Sequence, residues 1–147
     1  MKILIISPGK KHDHTVADGI GEYETRLNKQ YSVEWIFPSV GTKEDEALRI
    51  LKQIKEEDFV VLLDERGADI DTVGFSKILA KAAGTGVKRL VFVIGGAFGV
   101  SGEVAKRANL TLKLSSLVFP HMLVRLILME QLYRAHSILS DSKYHHA

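Results

Sequence analysis

The sequence predicts an α/β protein with a mainly parallel sheet and helices on both faces. Five short apolar runs alternate with segments of helical periodicity along the 147 residues. Most of these runs are continuously apolar, which is typical of strands that are covered on both faces. No internal repeat, low-complexity tract or linker interrupts the pattern, so we expect a single domain over 1–147.

The individual elements follow from composition and period. Runs rich in β-branched and aromatic residues predict the first four strands, and a short run with period-two alternation predicts the fifth. The predicted strands are 2–7, 31–37, 59–64, 90–95 and 110–114. The predicted helices between them are about 14–29, 43–56, 71–84 and 101–108.

The final predicted helix, about 120–139, differs from the others. It opens with Pro120, a residue suited to the first turn, and it has almost no polar face. A helix that is apolar on all sides has to be buried on all sides, so we expect a homodimer with this helix in the interface. A central helix buried within one subunit is the alternative.

Four polar residues interrupt this helix in pairs that share a face. Glu130 precedes Arg134 by four positions, the favourable order for an ion pair. His121 and Arg125 lie at the positive start of the helix, where an anionic ligand is favoured. For His121 the alternative is a core histidine whose hydrogen bonds are satisfied.

Composition excludes several classes of protein. The chain has no cysteine, which rules out disulfides, thiolate metal sites and cysteine nucleophiles, and we expect no metal. The net charge of +2 permits an anionic partner without requiring one. No apolar stretch approaches the ~20 residues that span a bilayer, so we expect a cytosolic protein without a membrane partner.

A glycine loop follows the fourth predicted strand, within "RLVFVIGGAFGVSGE" at 89–103. Its glycines are Gly95, Gly96 and Gly99, and their spacing matches neither a P-loop nor the dinucleotide fingerprint. A nucleotide-dependent oxidoreductase is therefore disfavoured. Two interpretations stay open: a tight turn that needs positive φ, or a close approach of backbone to a ligand.

The chain resembles the bacterial ribosomal large-subunit methyltransferase H family of the SPOUT superfamily. The segments that carry the resemblance are "MKILIISPGK", "EYETRL", "LLDERG", "FVIGGAFG", "LSSLVFPHMLVRLILMEQLYRAHSI" and the final "YHH". The resemblance implies methyl transfer from S-adenosylmethionine to N3 of a pseudouridine in helix 69 of 23S rRNA, within the assembled ribosome. It also implies a C-terminal trefoil knot and a working homodimer in which the partner's tail completes each site.

The resemblance assigns roles to particular positions. His145 in the tail would act near the target base as hydrogen-bond partner or proton acceptor. Arg134 and His121 are secondary candidates for steering RNA or supporting the site, on the basis of their position alone. His146 replaces the usual basic residue of the family, which puts a phosphate contact there in doubt. The implied cofactor contacts are Leu63, Gly95, Leu114, Ser115, Ser116, Leu117, Val118 and Phe119. Without the resemblance, Leu63 and Leu117 would be assigned to the core, and Ser115 and Ser116 could equally form a turn before the final helix.

Basic doublets are the candidate RNA contacts. They are Lys10, Lys11, Lys88, Arg89, Lys106 and Arg107, and each pair is otherwise a set of solvated surface charges. The modest net charge predicts weak affinity for naked RNA and recognition of ribosome shape. A non-catalytic protein that senses S-adenosylmethionine, and a SPOUT relative that acts on tRNA, are the alternative functions.

Overall fold

The computed structural model describes residues 1–96 and 99–145, and within them all five predicted strands are confirmed. The strands are β1 (Lys2–Ile6), β2 (Ser32–Ile36), β3 (Phe59–Asp69), β4 (Arg89–Ile94) and β5 (Leu110–Lys113). They form one all-parallel sheet in the order β2-β1-β4-β3-β5. The strands therefore end at the same edge of the sheet, which we call the carboxyl edge.

The predicted helices are also confirmed, and the first two end earlier than expected. The helices are α1 (His14–Leu27), α2 (Lys43–Lys52), α3 (Thr72–Gly84), α4 (Gly102–Arg107) and α5 (His121–Leu139). The first four begin at a capping side chain that accepts a hydrogen bond from a backbone N–H group. These capping residues are Asp13, Thr42, Asp71 and Ser101.

Two hydrophobic layers cover the sheet, as continuously apolar strands predict. In β1, Ile3 and Ile5 point to the layer that holds α1, α3 and α5, whereas Leu4 and Ile6 point to the layer of α2 and α4. This alternation follows from the period of two along a strand. Both faces of the parallel sheet are therefore sealed, and ligands have access at the edges.

β3 extends five residues beyond its predicted end because the chain makes an excursion and then rejoins the sheet. Leu63 and Ala68 both pair with Leu112 of β5, and the residues between them leave the ladder. Gly67 allows this return: a Cβ there would lie 2.7 Å from backbone atoms of Leu112 and Thr111. The excursion carries 64–66 out over the carboxyl edge.

Helix α5 lies between α1 and α3 and is largely buried within its own subunit. Leu128, Met129, Leu132 and Ala135 have no exposed surface. The alternative of a central helix therefore accounts for this face, while the homodimer stays a prediction. Among the described residues no helix has the length and apolar character needed to cross a membrane.

Candidate cofactor pocket and tail cluster

A cavity of about 830 Å³ opens at the carboxyl edge, within the size range of small-molecule sites. It lies among the ends of β3, β4 and β5, the loop 114–120 and the first turn of α5. We call it the edge cavity. Charged side chains at its wall are Lys43, Asp64, Glu65, Arg66 and Lys113.

The edge cavity collects most of the residues that the resemblance assigns to the cofactor. Those that line it are Leu63, Gly95, Leu114, Ser115, Leu117, Val118 and Phe119. Ser116 belongs to the same loop and is exposed, but it does not line the cavity. Lys43 of α2 is a wall residue that no sequence signal identified.

The glycine loop is both a tight turn and part of the cavity wall. The backbone N–H of Gly99 donates to the carbonyl of Gly96 at 3.0 Å, and Gly99 has φ of +80°. Gly95, Gly96 and Gly99 all line the cavity. The two interpretations of the loop are thus compatible. Ala97 and Phe98 lie outside the described residues.

The apolar part of the cavity wall is partly core and partly open. Leu63 is buried at 7% exposure and belongs to the core while also lining the cavity, so its contact with a cofactor stays a prediction. Leu117 and Val118 are 71% and 84% exposed, so Leu117 is not a core residue. Ser115 makes the turn considered for it, because its Oγ accepts a hydrogen bond from the Leu117 N–H at 2.9 Å.

Asp64 holds a negative charge at the cavity wall. Its Oδ1 accepts hydrogen bonds from the backbone N–H and Nε of Arg66, at 2.8 and 3.0 Å. The side-chain hydrogen bond from Arg66 lowers the pKa of Asp64 and outweighs the effect of burial, which raises it. Asp64 therefore stays ionised at the cavity wall, in an ion pair with Arg66.

The two polar residues at the start of α5 behave differently from each other. Arg125 is completely buried; its Nε donates to Ser7 Oγ at 2.8 Å and its Nη1 to the Lys10 carbonyl at 2.8 Å. It therefore ties α5 to the loop after β1 and is not available to an external anion, contrary to expectation.

His121 is exposed and lines the edge cavity, so the core-histidine alternative is wrong. Desolvation, and then the charge of Arg125, lower the pKa of His121 and favour its neutral form.

A second polar site lies where the C-terminal tail packs on α1 and α5. We call it the tail cluster, and it consists of Tyr23, Glu130, Tyr133, Arg134, Tyr144 and His145.

Hydrogen bonds and ring contacts hold this cluster together. Arg134 Nε donates to Glu130 Oε1 at 2.6 Å, which confirms the predicted ion pair, and Nη1 lies 3.2 Å from His145 Nδ1. The hydroxyl oxygens of Tyr23 and Tyr144 are 3.1 Å apart. Burial, reinforced by this bond, raises the pKa of Tyr144 to about 12.

The structure separates the catalytic candidates into two groups. His121 is at the first residue of α5 and at the edge cavity, whereas Arg134 lies thirteen residues later on the same helix. At a rise of about 1.5 Å per residue, these positions are about 20 Å apart along the helix axis. Within one chain, His145 and Arg134 are therefore remote from the residues that line the cavity.

The basic doublets lie at opposite edges of the sheet. Arg89 and Arg107 lie away from the carboxyl edge and are structural, because each donates hydrogen bonds to backbone carbonyls of 53–58. Arg89 also pairs with Asp58, whose pKa is lowered despite its burial. Lys10 and Lys11 are exposed on the loop after β1, at the carboxyl edge. They are the doublet that shares an edge with the cavity.

Comparisons with protein-family models and with curated proteins agree on one family. The family described as "Predicted SPOUT methyltransferase" matches residues 1–145. A ribosomal RNA large subunit methyltransferase H of Christiangramia forsetii is 49% identical, over 99% of this chain and 99% of the relative. Its counterpart in Trichlorobacter lovleyi is 39% identical, over 99% of this chain and 100% of the relative.

One solved structure supports the fold. A "probable methylase family protein" from Haemophilus influenzae superposes with a TM-score of 0.55, covering 97% of this chain and 67% of that one. At 12% sequence identity this likeness concerns the fold alone. Among residues 1–96 and 99–145, no group of three or more His, Asp or Glu side chains is arranged to hold a metal ion.

Proposed function

The chain belongs to the SPOUT methyltransferases and, within them, to the ribosomal RNA large subunit methyltransferase H family, and we propose that it methylates N3 of a pseudouridine in helix 69 of 23S rRNA. The methyl donor is S-adenosylmethionine, and the substrate is the assembled ribosome in the cytoplasm. The observation that carries this proposal is the edge cavity, which is lined by seven of the eight residues that the resemblance assigns to the cofactor.

The chemistry of the cavity wall fits S-adenosylmethionine. Exposed Leu117 and half-buried Phe119 offer apolar surface for the adenine ring, and the glycine loop leaves its backbone accessible to the ribose. Asp64 and Glu65 place carboxyl side chains at the wall, with Asp64 in an ion pair with Arg66. S-adenosylmethionine supplies the methyl group on a positively charged sulfur that is already activated for transfer.

The reaction needs alignment more than covalent assistance. N3 loses its proton, the N3 lone pair forms a bond to the methyl carbon, and the carbon–sulfur bond breaks with its electron pair passing to sulfur. The products are the N3-methylated base and S-adenosylhomocysteine. The protein has to hold donor and base in line, and such positioning can contribute about 7–11 kcal/mol to lowering the barrier.

A homodimer is proposed as the working unit because one chain keeps the tail and the cavity apart. His145 contacts Arg134, about 20 Å along α5 from the cavity. Two copies with antiparallel α5 helices would place the tail of one against the cavity of the other.

One face of α5 suits this arrangement. Leu123, Ile127, Glu130 and Arg134 recur every three or four positions, and each keeps some exposure. A second copy packed on this stripe would cover its apolar half and leave the polar half near the two tails. The trefoil knot is retained in the proposal as an expectation from the family.

The direct test uses isotope-labelled S-adenosylmethionine and whole ribosomes from cells that lack the modification. After digestion, mass spectrometry should recover the label as N3-methylpseudouridine from the large-subunit rRNA. No label in rRNA, although the protein binds the cofactor, would contradict the proposal.

A truncated chain separates the enzyme from a cofactor sensor. Removal of 144–147 should preserve cofactor binding, because the cavity wall lies elsewhere, and should abolish transfer. Full transfer by the truncated chain would exclude a catalytic role for the tail.

A further inference from the structure

We propose that His145 acts at the target base as a hydrogen-bond donor through Nε2 and not as the proton acceptor, because Arg134 holds its ring in the Nε2–H tautomer. This inference rests on the proposed function and specifies the role of one residue in it. It assigns Arg134 and Glu130 as positioning residues that act through His145.

The tautomer follows from the contact between the two side chains. A guanidinium group has five N–H donors and no acceptor. Arg134 Nη1 lies 3.2 Å from His145 Nδ1, so the Nδ1 lone pair has to accept this hydrogen bond. A neutral imidazole carries one N–H group, which is then on Nε2.

Arg134 is itself held in place. Its Nε donates to both oxygens of Glu130, at 2.6 and 3.2 Å, and its guanidinium lies 4.8 Å from the centre of the Tyr144 ring. The hydrogen bond to Glu130 raises the pKa of Arg134. The guanidinium therefore stays charged and fixed in direction, and a proton on Nδ1 would point directly at a cation.

A donor suits the charge that develops in the reaction. When N3 loses its proton, the negative charge is shared with the two carbonyl oxygens that flank N3. An Nε2–H group directed at one of these oxygens stabilises that charge. The N3 proton then passes to hydroxide from solvent, forming water, before N3 attacks the methyl carbon, because Nε2 already carries a proton.

Substitution of His145 distinguishes donor from base. Glutamine places an amide N–H at about the reach of Nε2 but accepts no proton near neutral pH. Asparagine is shorter, and alanine has neither an N–H donor nor a proton acceptor. We expect His145→Gln to keep kcat on ribosomes within about tenfold of the natural chain. His145→Asn and His145→Ala should lose about 100-fold or more, the usual effect of removing such a donor.

Equal losses in His145→Gln and His145→Ala would overturn the proposal. Each variant is first shown to bind S-adenosylmethionine normally, so that a misfolded cavity is not mistaken for lost chemistry. Failure of the proposed function has a different signature, because the natural chain itself would then transfer no methyl group to rRNA.

Nitrogen spectroscopy reads the tautomer directly. Long-range ¹H–¹⁵N correlation spectra of the full chain, labelled at histidine, should show a protonated Nε2 and an unprotonated Nδ1 for His145. Arg134→Met should remove this preference, and Arg134→Lys should preserve it because lysine also only donates. The control is Arg26→Met, since Arg26 contacts the Tyr133 ring and not His145. A protonated Nδ1 in the natural chain would overturn the proposal.

Discussion

The edge cavity and the tail cluster share helix α5 and are built in opposite ways. The cavity consists of strand ends, glycine backbone and apolar side chains, some of them open to solvent. The tail cluster consists of aromatic and charged side chains that are joined by hydrogen bonds and ring contacts. In the proposed function this difference becomes a division of roles, in which one end of α5 would bind the methyl donor and the other end would present the groups that act on the base.

The largest expected effect comes from a substitution that disturbs the pairing of β3 with β5 at the edge cavity. In Gly67→Ala, the new Cβ would lie 2.7 Å from the backbone of Leu112 and Thr111, so β3 and β5 must separate. We expect the free energy of unfolding to fall by ~1–3 kcal/mol and cofactor affinity by at least about tenfold. Urea denaturation and calorimetry measure the two effects.

Gly21→Ala is the matched control. Gly21 is in the interior of α1, and a Cβ there meets no atom within 4 Å. This variant should be neutral or more stable by up to ~1 kcal/mol, because alanine favours a helix. Equal stability loss in the two variants would contradict the close approach at Gly67.

A smaller effect is expected at the basic doublet that shares an edge with the cavity. Replacing Lys10 and Lys11 by alanine removes two exposed charges at the carboxyl edge. We expect KM for ribosomes to rise about tenfold and the slope of log affinity against log salt to decrease by about two. Replacing Lys88 and Lys106, which lie towards the opposite edge, is the control and should leave both quantities unchanged; the reverse result would place the RNA on the other edge.

The tail cluster can be loosened without touching the cavity. Tyr144→Phe removes the hydrogen bond to Tyr23 and keeps the ring. Such a bond contributes ~0.5–1.5 kcal/mol, so kcat should fall about two- to tenfold while cofactor binding stays the same. Tyr23→Phe should have the same effect, and the double variant should be no worse than either alone. Additive losses would show that the two hydroxyls act independently.

The smallest expected effect is the part of the pH dependence of folding stability that comes from His12. Burial, with lesser contributions from Arg125 and Lys11, lowers the pKa of His12 to about 4 from 6.5. The unfolded chain therefore binds more protons than the folded one as pH falls below about 6.5, and stability decreases from there towards about pH 4.

His136 and His121 act in the same direction, since burial lowers the pKa of each, whereas the raised pKa of Glu24 opposes them. Urea midpoints measured between about pH 7.5 and about pH 5 should therefore fall less steeply in His12→Gln than in the natural chain. Identical pH dependence in the two proteins would contradict the assignment to His12.

Sequence reasoning identified the strands because buried parallel strands leave a strong apolar signal, as in 90–95. It missed the extension of β3 to Asp69, because that pairing depends on Leu112, more than forty positions away. Lys43 gave no signal either, because its place at the cavity wall depends on residues that are distant in sequence.

The candidate site was less accessible to sequence reasoning than the fold. The resemblance supplied the cavity residues, of which Ser116 lies outside the wall. Neither periodicity nor resemblance placed His145 against Arg134, because that contact requires the tail to fold back on α5. The expected departure at His146 lies outside the described residues and stays a prediction.

The central claim is that each active site combines the cavity of one chain with the tail of another, and subunit mixing tests it most directly. Gly95→Arg, chosen to fill the cavity, and His145→Ala are each expected to be inactive while still forming dimers. After random exchange, half of the dimers are mixed, and each of these has one intact site made from two chains. The account therefore predicts recovery of about a quarter of the natural activity. No recovery, although mixed dimers are present, would show that cavity and tail act within the same chain and would contradict the account.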